Sequence, residues 1–256
     1  MTRYLSAEHS FGVALASLRK VARPRIPAGL RIYAVGDVHG RADLLAPLLA
    51  RIDADLSAHP IAQPCQVFLG DYIDRGAHSR QVIDLLIARR RRHQMLFLKG
   101  NHEDFALEFL SNPTKLSEWK QVGGLSTLLS YGVKIADRTD PAAEEEAAIA
   151  FRRALPPSHF RFLGSLVLSF HCGDYFFAHA GARPGIPLRH QHRQDLIWIR
   201  DDFLLHEEDF GKVVVHGHTP VTTPDIRLNR INIDTGAYAT NRLTCLVLED
   251  DRMRFL

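Results

Sequence analysis

The stretch RIYAVGDVHG, residues 31–40, joins an apolar run to a glycine turn that carries an aspartate and a histidine. Residues 31–35 predict a short strand, which Gly36 ends. Asp37 and His39 follow two positions apart, so at an extended strand end both side chains point the same way. Carboxylate and imidazole groups that share a direction can bind one cation, although this tetrad alone also fits a simple turn.

The same arrangement recurs twice along the chain. A second apolar run leads into GDYIDRG, residues 70–76, and a third leads into GNHE, residues 100–103. The apolar period of residues 41–56 and of residues 79–92 predicts a helix after each of the first two strands. This β-α-β-α-β order is typical of a sheet with right-handed crossovers, and ligands gather at the carboxyl edge of such strands. All three motifs are expected at that edge.

The middle of the chain departs from this alternation, and we interpret about residues 104–163 as a helical insertion beside the site. Its predicted helices span residues 105–110, 119–130 and 142–154. Strand-like runs return after it, and the first two predict a hairpin that turns at residues 172–174. The chain length suits one large α/β domain or two small ones. We expect a single catalytic domain over residues 30–256, preceded by a tail over residues 1–29.

Two further histidine motifs follow late strand-like runs. HAG occupies residues 179–181 and HGHTP occupies residues 216–220. We expect the imidazoles of His179 and His218 to reach the site from these strands. In the second motif His216 is the better candidate for a structural role, because the two side chains need not converge.

The five motifs together supply a candidate ligand set for two divalent cations. It consists of Asp37, His39, Asp71, Asn101, His179 and His218. Nitrogen and oxygen ligands without a thiolate are typical of Mn²⁺, Fe or Zn²⁺, and we expect Mn²⁺. Asp71 can bridge the cations with its two oxygens. The positive charge of two divalent cations exceeds the negative charge of the two carboxylates, so the centre stays positive and attracts a phosphate. Arg75 adds a planar fork of hydrogen-bond donors that matches phosphate oxygens. Taken singly, the motifs also fit structural roles, as when Asn101 caps a helix.

Composition disfavours several other classes. The net charge is +3 without a concentrated basic face, which does not favour a nucleic-acid partner. No run approaches the ~20 apolar residues that a membrane span needs. The apolar residues 11–18 are interrupted upstream by Glu8 and followed by basic residues, so we interpret them as an amphipathic helix or tail rather than a signal peptide. The 3 cysteines are widely spaced, which favours a reducing, cytoplasmic location.

On these motifs, residues 32–236 resemble the calcineurin-type metallophosphoesterases and, within them, the PPP-type serine/threonine protein phosphatases of the bacterial and phage lambda branch. The resemblance implies a four-layer αββα sandwich of two mixed sheets, with the metals at the strand ends. It also implies that the six ligands above hold two metals, with Asp71 between them. It further implies that His102 is a general acid and that Asp74 orients it. The phosphate-binding groups that it implies are Arg75, Asn101 and Arg200. INIDTG, residues 231–236, resembles a late strand and turn of these enzymes, and we interpret Asp234 as structural support.

The resemblance implies a phosphomonoester hydrolase, and first a serine/threonine phosphoprotein phosphatase that acts through a metal-bridging hydroxide. The alternative is a symmetrical dinucleoside-tetraphosphate hydrolase, which typically has a small residue where Asp74 stands. Asp74 and Glu103 therefore favour the protein phosphatase. A catalytically inactive binding module is a rival from another class, and the presence of every expected ligand disfavours it. Phosphorylated proteins and small phosphoesters both stay open as substrates, as does the oligomeric state.

Overall fold

The computed structural model describes residues 23–135, 138 and 140–256. The prediction of a helix or tail at residues 11–18 falls outside this described part. Within it, residues 23–29 precede the first strand, and Ile26 is buried with its backbone N–H donating to Asp250. Among the described helices, none is long and apolar enough to span a membrane.

The first sheet grows out of the predicted β-α-β-α-β pattern. Its strands are β1 (Leu30–Val35), β2 (Gln63–Phe68), β3 (Met95–Phe97), β9 (Cys245–Glu249) and β10 (Arg252–Phe255). β1, β2 and β3 are parallel, and helices α1 (Ala42–Ala58) and α2 (Ser79–Arg90) connect them. β9 pairs antiparallel with β1, and β10 with β9, which gives the order β10-β9-β1-β2-β3.

The second sheet comes from the C-terminal half. Its strands are β4 (Ser169–Cys172), β5 (Tyr175–Ala178), β6 (Val213–His216), β7 (Asp225–Ile226) and β8 (Arg230–Asn232). β4 and β5 form the antiparallel hairpin that the sequence predicts, turning at residues 173–174. β5, β6 and β8 are parallel, and the sheet order is β4-β5-β6-β8-β7. Both sheets are therefore mixed, as expected.

The helical insertion follows β3. It contains α3 (Asn101–Ser111), α4 (Leu116–Gln121), α5 (Gly124–Ser130), α6 (Pro141–Ala154) and α7 (Pro157–Gly164). The single helix predicted over residues 119–130 is wrong, because Gly123 has a φ of +110° and the left-handed turn separates α4 from α5. The short helices elsewhere are α8 (Arg193–Trp198), α9 (Asp201–Leu204) and α10 (Ala237–Thr240).

Alternation along the strands builds the layers. Ile32 and Ala34 of β1 face the second sheet, where they join a core that includes Phe177 of β5. Tyr33 and Val35 face the opposite way and pack in the core formed with α1, α2 and the insertion. A third core lies between the outer face of the second sheet and helices α8 and α9. The result is the predicted helix–sheet–sheet–helix order, and the loops after β1, β2, β3, β5 and β6 meet at one end of it.

Candidate active site

The loops after β1 and β2 are joined by their backbones. His39 N–H donates to Asp71 O at 2.8 Å, and Gly76 N–H donates to His39 O at 3.0 Å. This contact requires glycine, because a Cβ on Gly40 would lie 2.5 Å from Gly76 O. His39, Asp71 and Asp74 have positive φ values of 44°, 48° and 72°. Such strained backbone at polar residues is typical of functional sites, where the surrounding packing enforces it.

Two groups of side chains converge at the end of the sandwich. His39, Asp71 and His102 place ligand atoms within 4.8 Å of one another, and Asp71, His179 and His218 form a second such group. Asp71 belongs to both, with Oδ2 at 3.5 Å from His39 Nε2 and Oδ1 at 3.4 Å from His179 Nε2. A carboxylate so placed is positioned to bridge two cations.

Asn101 and Asp37 complete the convergence. Asn101 Oδ1 lies 3.0 Å from His179 Nε2 and 2.9 Å from His218 Nδ1. Asp37 Oδ2 accepts the backbone N–H of His218 at 3.0 Å. Asp37 Oδ1 and His218 Nε2 are buried and have no hydrogen-bond partner among the described residues. Buried polar atoms are almost always paired, so these two orphaned atoms fit divalent cations at this site.

The electrostatics follow from burial of these groups at close range. Burial lowers the pKa of His39 to about 3 and that of His218 to about 2, which leaves both imidazoles in the neutral form that binds metals. Burial also raises the pKa of Asp37, and nearby Asp234 raises it further. For Asp71 burial acts in the same direction, but the positive charges on His179 and His102 outweigh it and hold its pKa well below the usual range.

His102 and Asp74 form a buried pair. His102 Nδ1 lies 2.7 Å from Asp74 Oδ2, so this N–H donates to the carboxylate. The other ring nitrogen, Nε2, faces the site at 3.7 Å from Asp71 Oδ2 and 3.4 Å from Arg75 Nη2. Burial alone would lower the pKa of His102, but the charge on Asp71 and the hydrogen bond to Asp74 outweigh it and raise that pKa. The Arg75 guanidinium carbon lies 4.5 Å above the ring of Tyr238.

Two predicted residues differ in solvent exposure: Arg200 is exposed and His216 is buried. Arg200 is exposed at the rim, and Nη1 lies 3.4 Å from Thr219 Oγ1, next to His218. His216 is buried and belongs to neither ligand group. Its ring lies edge-on to Phe203, with centroids 4.9 Å apart. The structure thus brings His218 to the site and leaves His216 in the core.

Several residues contribute in ways that the motifs did not indicate. Glu103 accepts the backbone N–H groups of Asp71 and Gly100 on Oε2, both at 3.0 Å, and that of Tyr72 on Oε1 at 2.7 Å. It therefore fixes the loop that carries Asp71. Burial, then the charge on Asp71, raises the pKa of Glu103 to about 7. The position of Glu103 within the GNHE motif is the sequence signal that could have indicated this role.

Asp234 also lies close to the ligands. Its Oδ1 accepts the N–H of Gly236 at 2.9 Å, whereas Oδ2 is buried and finds no hydrogen-bond partner in the described part of the chain. Burial raises its pKa. The charge on Asp234 in turn raises the pKa of Asp37, so Asp234 adds negative potential at this ligand in addition to holding its own turn.

The sequence profile of the calcineurin-like phosphoesterase family matches residues 30–251. Among curated relatives, the asymmetrical bis(5'-nucleosyl)-tetraphosphatase PrpE of Anoxybacillus flavithermus is 26% identical over 231 residues, which cover 83% of this chain and 88% of the relative. Serine/threonine-protein phosphatase BSL2 of Arabidopsis thaliana is 36% identical over 81 residues, or 31% of this chain and 8% of the relative. A cold-active protein-tyrosine phosphatase of Shewanella has a similar fold, with a TM-score of 0.55 at 16% identity over 90% of this chain and 80% of that one.

Proposed function

Since the chain belongs to the calcineurin-like phosphoesterase family, we propose that it is a two-metal phosphomonoester hydrolase whose substrate is a phosphoserine or phosphothreonine of a protein. The buried His102–Asp74 pair carries the proposal. The alkoxide that leaves from such a substrate is a strong base and needs a proton as the bond to phosphorus breaks. An imidazole held by a carboxylate is suited to supply that proton.

The six ligands have distinct places in this proposal. Asp37 and His39 would hold one divalent cation, Asn101, His179 and His218 would hold the other, and Asp71 would contribute to both. Mn²⁺ is the expected ion, with Fe and Zn²⁺ compatible with the same donors. When bound, the cations supply a hydroxide nucleophile at neutral pH and neutralise charge on the phosphoryl oxygens.

The remaining residues bind and orient the substrate. Arg75 presents two donors to the phosphoryl oxygens while Tyr238 supports its planar group from below. Asn101 can add its amide nitrogen as a donor, and Arg200 can reach the phosphate from the rim. His102 gives the proton on Nε2 to the leaving oxygen, and Asp74 holds the ring through Nδ1.

The relatives favour a second candidate, an asymmetrical dinucleoside-tetraphosphate hydrolase. The similarity to PrpE extends over 83% of this chain, whereas the similarity to the serine/threonine phosphatase covers 31%. Hydrolysis of a phosphoanhydride expels a phosphate, which is a much weaker base than an alkoxide. A positioned general acid would therefore matter less for this substrate.

A substrate panel separates the two candidates. Chelated protein is reloaded with Mn²⁺, Fe²⁺ or Zn²⁺ and offered a phosphoserine peptide, p-nitrophenyl phosphate and diadenosine tetraphosphate. We expect phosphate release from the peptide with the largest kcat/KM. Release of ATP and AMP as the preferred reaction would instead support the second candidate.

The role of His102 has its own test. His102→Asn should lower turnover of the phosphoserine peptide by ~10²–10⁴-fold, the usual contribution of a general acid. The same variant should lose much less on p-nitrophenyl phosphate, because the nitrophenolate leaves without help. An equal loss on both substrates would contradict the assignment of His102.

The cellular setting is part of the same proposal. The 3 cysteines are free thiols, which supports a reducing cytoplasm as the site of action. A phosphorylated protein is the expected partner there, without a requirement for nucleic acid or membrane.

A further inference from the structure

The carboxylate of Asp74 is held from three directions. His102 Nδ1 and Trp119 Nε1 both donate to Oδ2 at 2.7 Å, and Thr127 Oγ1 donates to Oδ1 at 2.5 Å. The backbone N–H of Asp74 in turn donates to Ser79 Oγ at 3.0 Å. Asp74 is completely buried. Its side chain therefore has one orientation, and two of the donors that set it are neither in the loop of Asp74 nor in that of His102.

Trp119 and Thr127 come from the helical insertion. Trp119 lies on α4 and Thr127 on α5, and both are buried. The Trp119 ring packs against Phe109 and Phe151, with centroids 5.3 and 5.7 Å away. The packing fixes the indole plane and with it the direction of the N–H group. The insertion thus reaches the acid pair through two polar groups carried on a rigid apolar cluster.

The connection between the same two helices holds the phosphate-binding arginine. The backbone N–H of Arg75 donates to Gly123 O at 3.2 Å, and Arg75 Nε lies 3.5 Å from Val122 O. A Cβ on Gly123 would lie 2.8 Å from Arg75 Cγ, so only glycine permits this approach. The helix pair α4–α5, with its connection, therefore contacts both Asp74 and Arg75.

We propose that Trp119 and Thr127 are positioning residues for proton donation by His102, so that the insertion sets the efficiency of the general acid. This inference rests on the proposed function, because it assigns a step within it. Neither residue contacts the phosphoester. Trp119 fixes the position of Oδ2, the oxygen that also accepts the His102 N–H. Thr127 prevents the carboxylate from rotating about its Cβ–Cγ bond. Without them the imidazole loses its fixed direction toward the leaving oxygen.

The proposal predicts a selective defect. Trp119→Phe removes the indole N–H and keeps an aromatic ring, whereas Thr127→Val removes the hydroxyl and keeps the shape. Each should lower turnover of a phosphoserine peptide by about tenfold, a part of the ~10²–10⁴-fold effect of a general acid. Hydrolysis of p-nitrophenyl phosphate should change by less than about threefold, because its leaving group needs no proton.

A matched control separates positioning from packing. Ile52→Val disturbs the same apolar core from α1, a helix that carries none of the donors to Asp74, and it should affect both substrates equally. A second readout is independent of turnover: the downfield Nδ1 proton resonance of His102 in the Zn²⁺-loaded, ¹⁵N-histidine-labelled protein, assigned by its loss in His102→Asn. Trp119→Phe and Thr127→Val should each shift or broaden this resonance, and Ile52→Val should leave it in place.

Turnover of the two substrates and the His102 proton resonance together test the inference. A selective loss on the peptide with an altered resonance supports the inference. An unaltered resonance in both variants overturns it, and so does an equal loss on the two substrates or the same selective loss in Ile52→Val. If the wild-type protein hydrolyses neither monoester, the proposed function fails. The resonance then decides alone whether Trp119 and Thr127 hold the pair.

Discussion

Gly100 has no room for a side chain, and replacing it should displace the shared ligand Asp71. A Cβ at this position would lie 2.5 Å from Asp71 N and 2.9 Å from Asp71 Cγ, and it would overlap Asp71 Oδ1. Ordinary contacts of this kind begin at 3.4 Å. In Gly100→Ala, Asp71 must therefore retreat by about 1 Å, and a misplacement of that size costs ~10²-fold in rate.

The same overlap should also weaken the fold. Overpacking of a buried site costs ~1–3 kcal/mol. We expect Gly100→Ala to lower kcat/KM for p-nitrophenyl phosphate by about 100-fold, to lower Mn²⁺ affinity and to reduce the free energy of unfolding in urea by that 1–3 kcal/mol. Because Asp71 contributes to both ligand groups, its displacement should affect both cations.

Gly164→Ala is the matched control. Gly164 ends α7, and a Cβ there meets no atom of the described residues within 4 Å. The exchange should leave activity unchanged and stabilise the protein by ~0.4–1 kcal/mol through the unfolded state. Retention of activity within threefold of wild type by Gly100→Ala would refute the proposed contact between Gly100 and the ligand loop.

Three further predictions test other parts of the site and the core. Asp37→Asn should remove bound metal, measured by elemental analysis, and abolish hydrolysis of alkyl and aryl substrates alike; retained metal would contradict its assignment as a ligand. Arg75→Lys loses one charge-assisted hydrogen bond of ~1.5–3 kcal/mol, so KM should rise roughly 10- to 160-fold in steady-state assays, and an unchanged KM would place the phosphate elsewhere. Burial, with a smaller contribution from neighbouring Cys172, raises the pKa of Cys65 to about 11, and burial raises that of Cys245 to about 12. Burial also raises the pKa of Cys172, but this thiol is half-buried, whereas Cys65 and Cys245 are buried. At pH 8 an aromatic disulfide reagent should therefore label only Cys172 in the native protein and all 3 thiols after denaturation, a count that mass spectrometry checks.

The first three strands and their terminal motifs were predictable because the signals are local. An apolar run, a glycine and an i, i+2 pair occupy about ten consecutive residues, as in residues 31–40. Parallel strands bring their carboxyl ends to one edge, so separate local motifs yield a common site. The helices α1 and α2 follow from the same kind of local periodicity. The αββα layering came from the resemblance, and the structure has that layering.

The helical insertion shows where local signals end. The composition of residues 119–130 favours one helix, but the φ of +110° at Gly123 divides it. That break lies where the backbone of Arg75 approaches, a contact between residues 48 positions apart in sequence. Periodicity within the segment carries no information about such a distant neighbour.

The sequence by itself determined which residue types gather at the strand ends, because strand ends and glycine turns are set by a few adjacent residues. The motif already favoured His218 over His216 as the ligand, and the tertiary structure shows where each side chain lies: His218 joins the site and His216 lies against Phe203, because residues two apart at a strand end can diverge once the chain turns. The tertiary structure also decided that Trp119 and Thr127 reach Asp74. The direction of a side chain on a short helix depends on how that helix packs, and here the aromatic cluster of the insertion sets it.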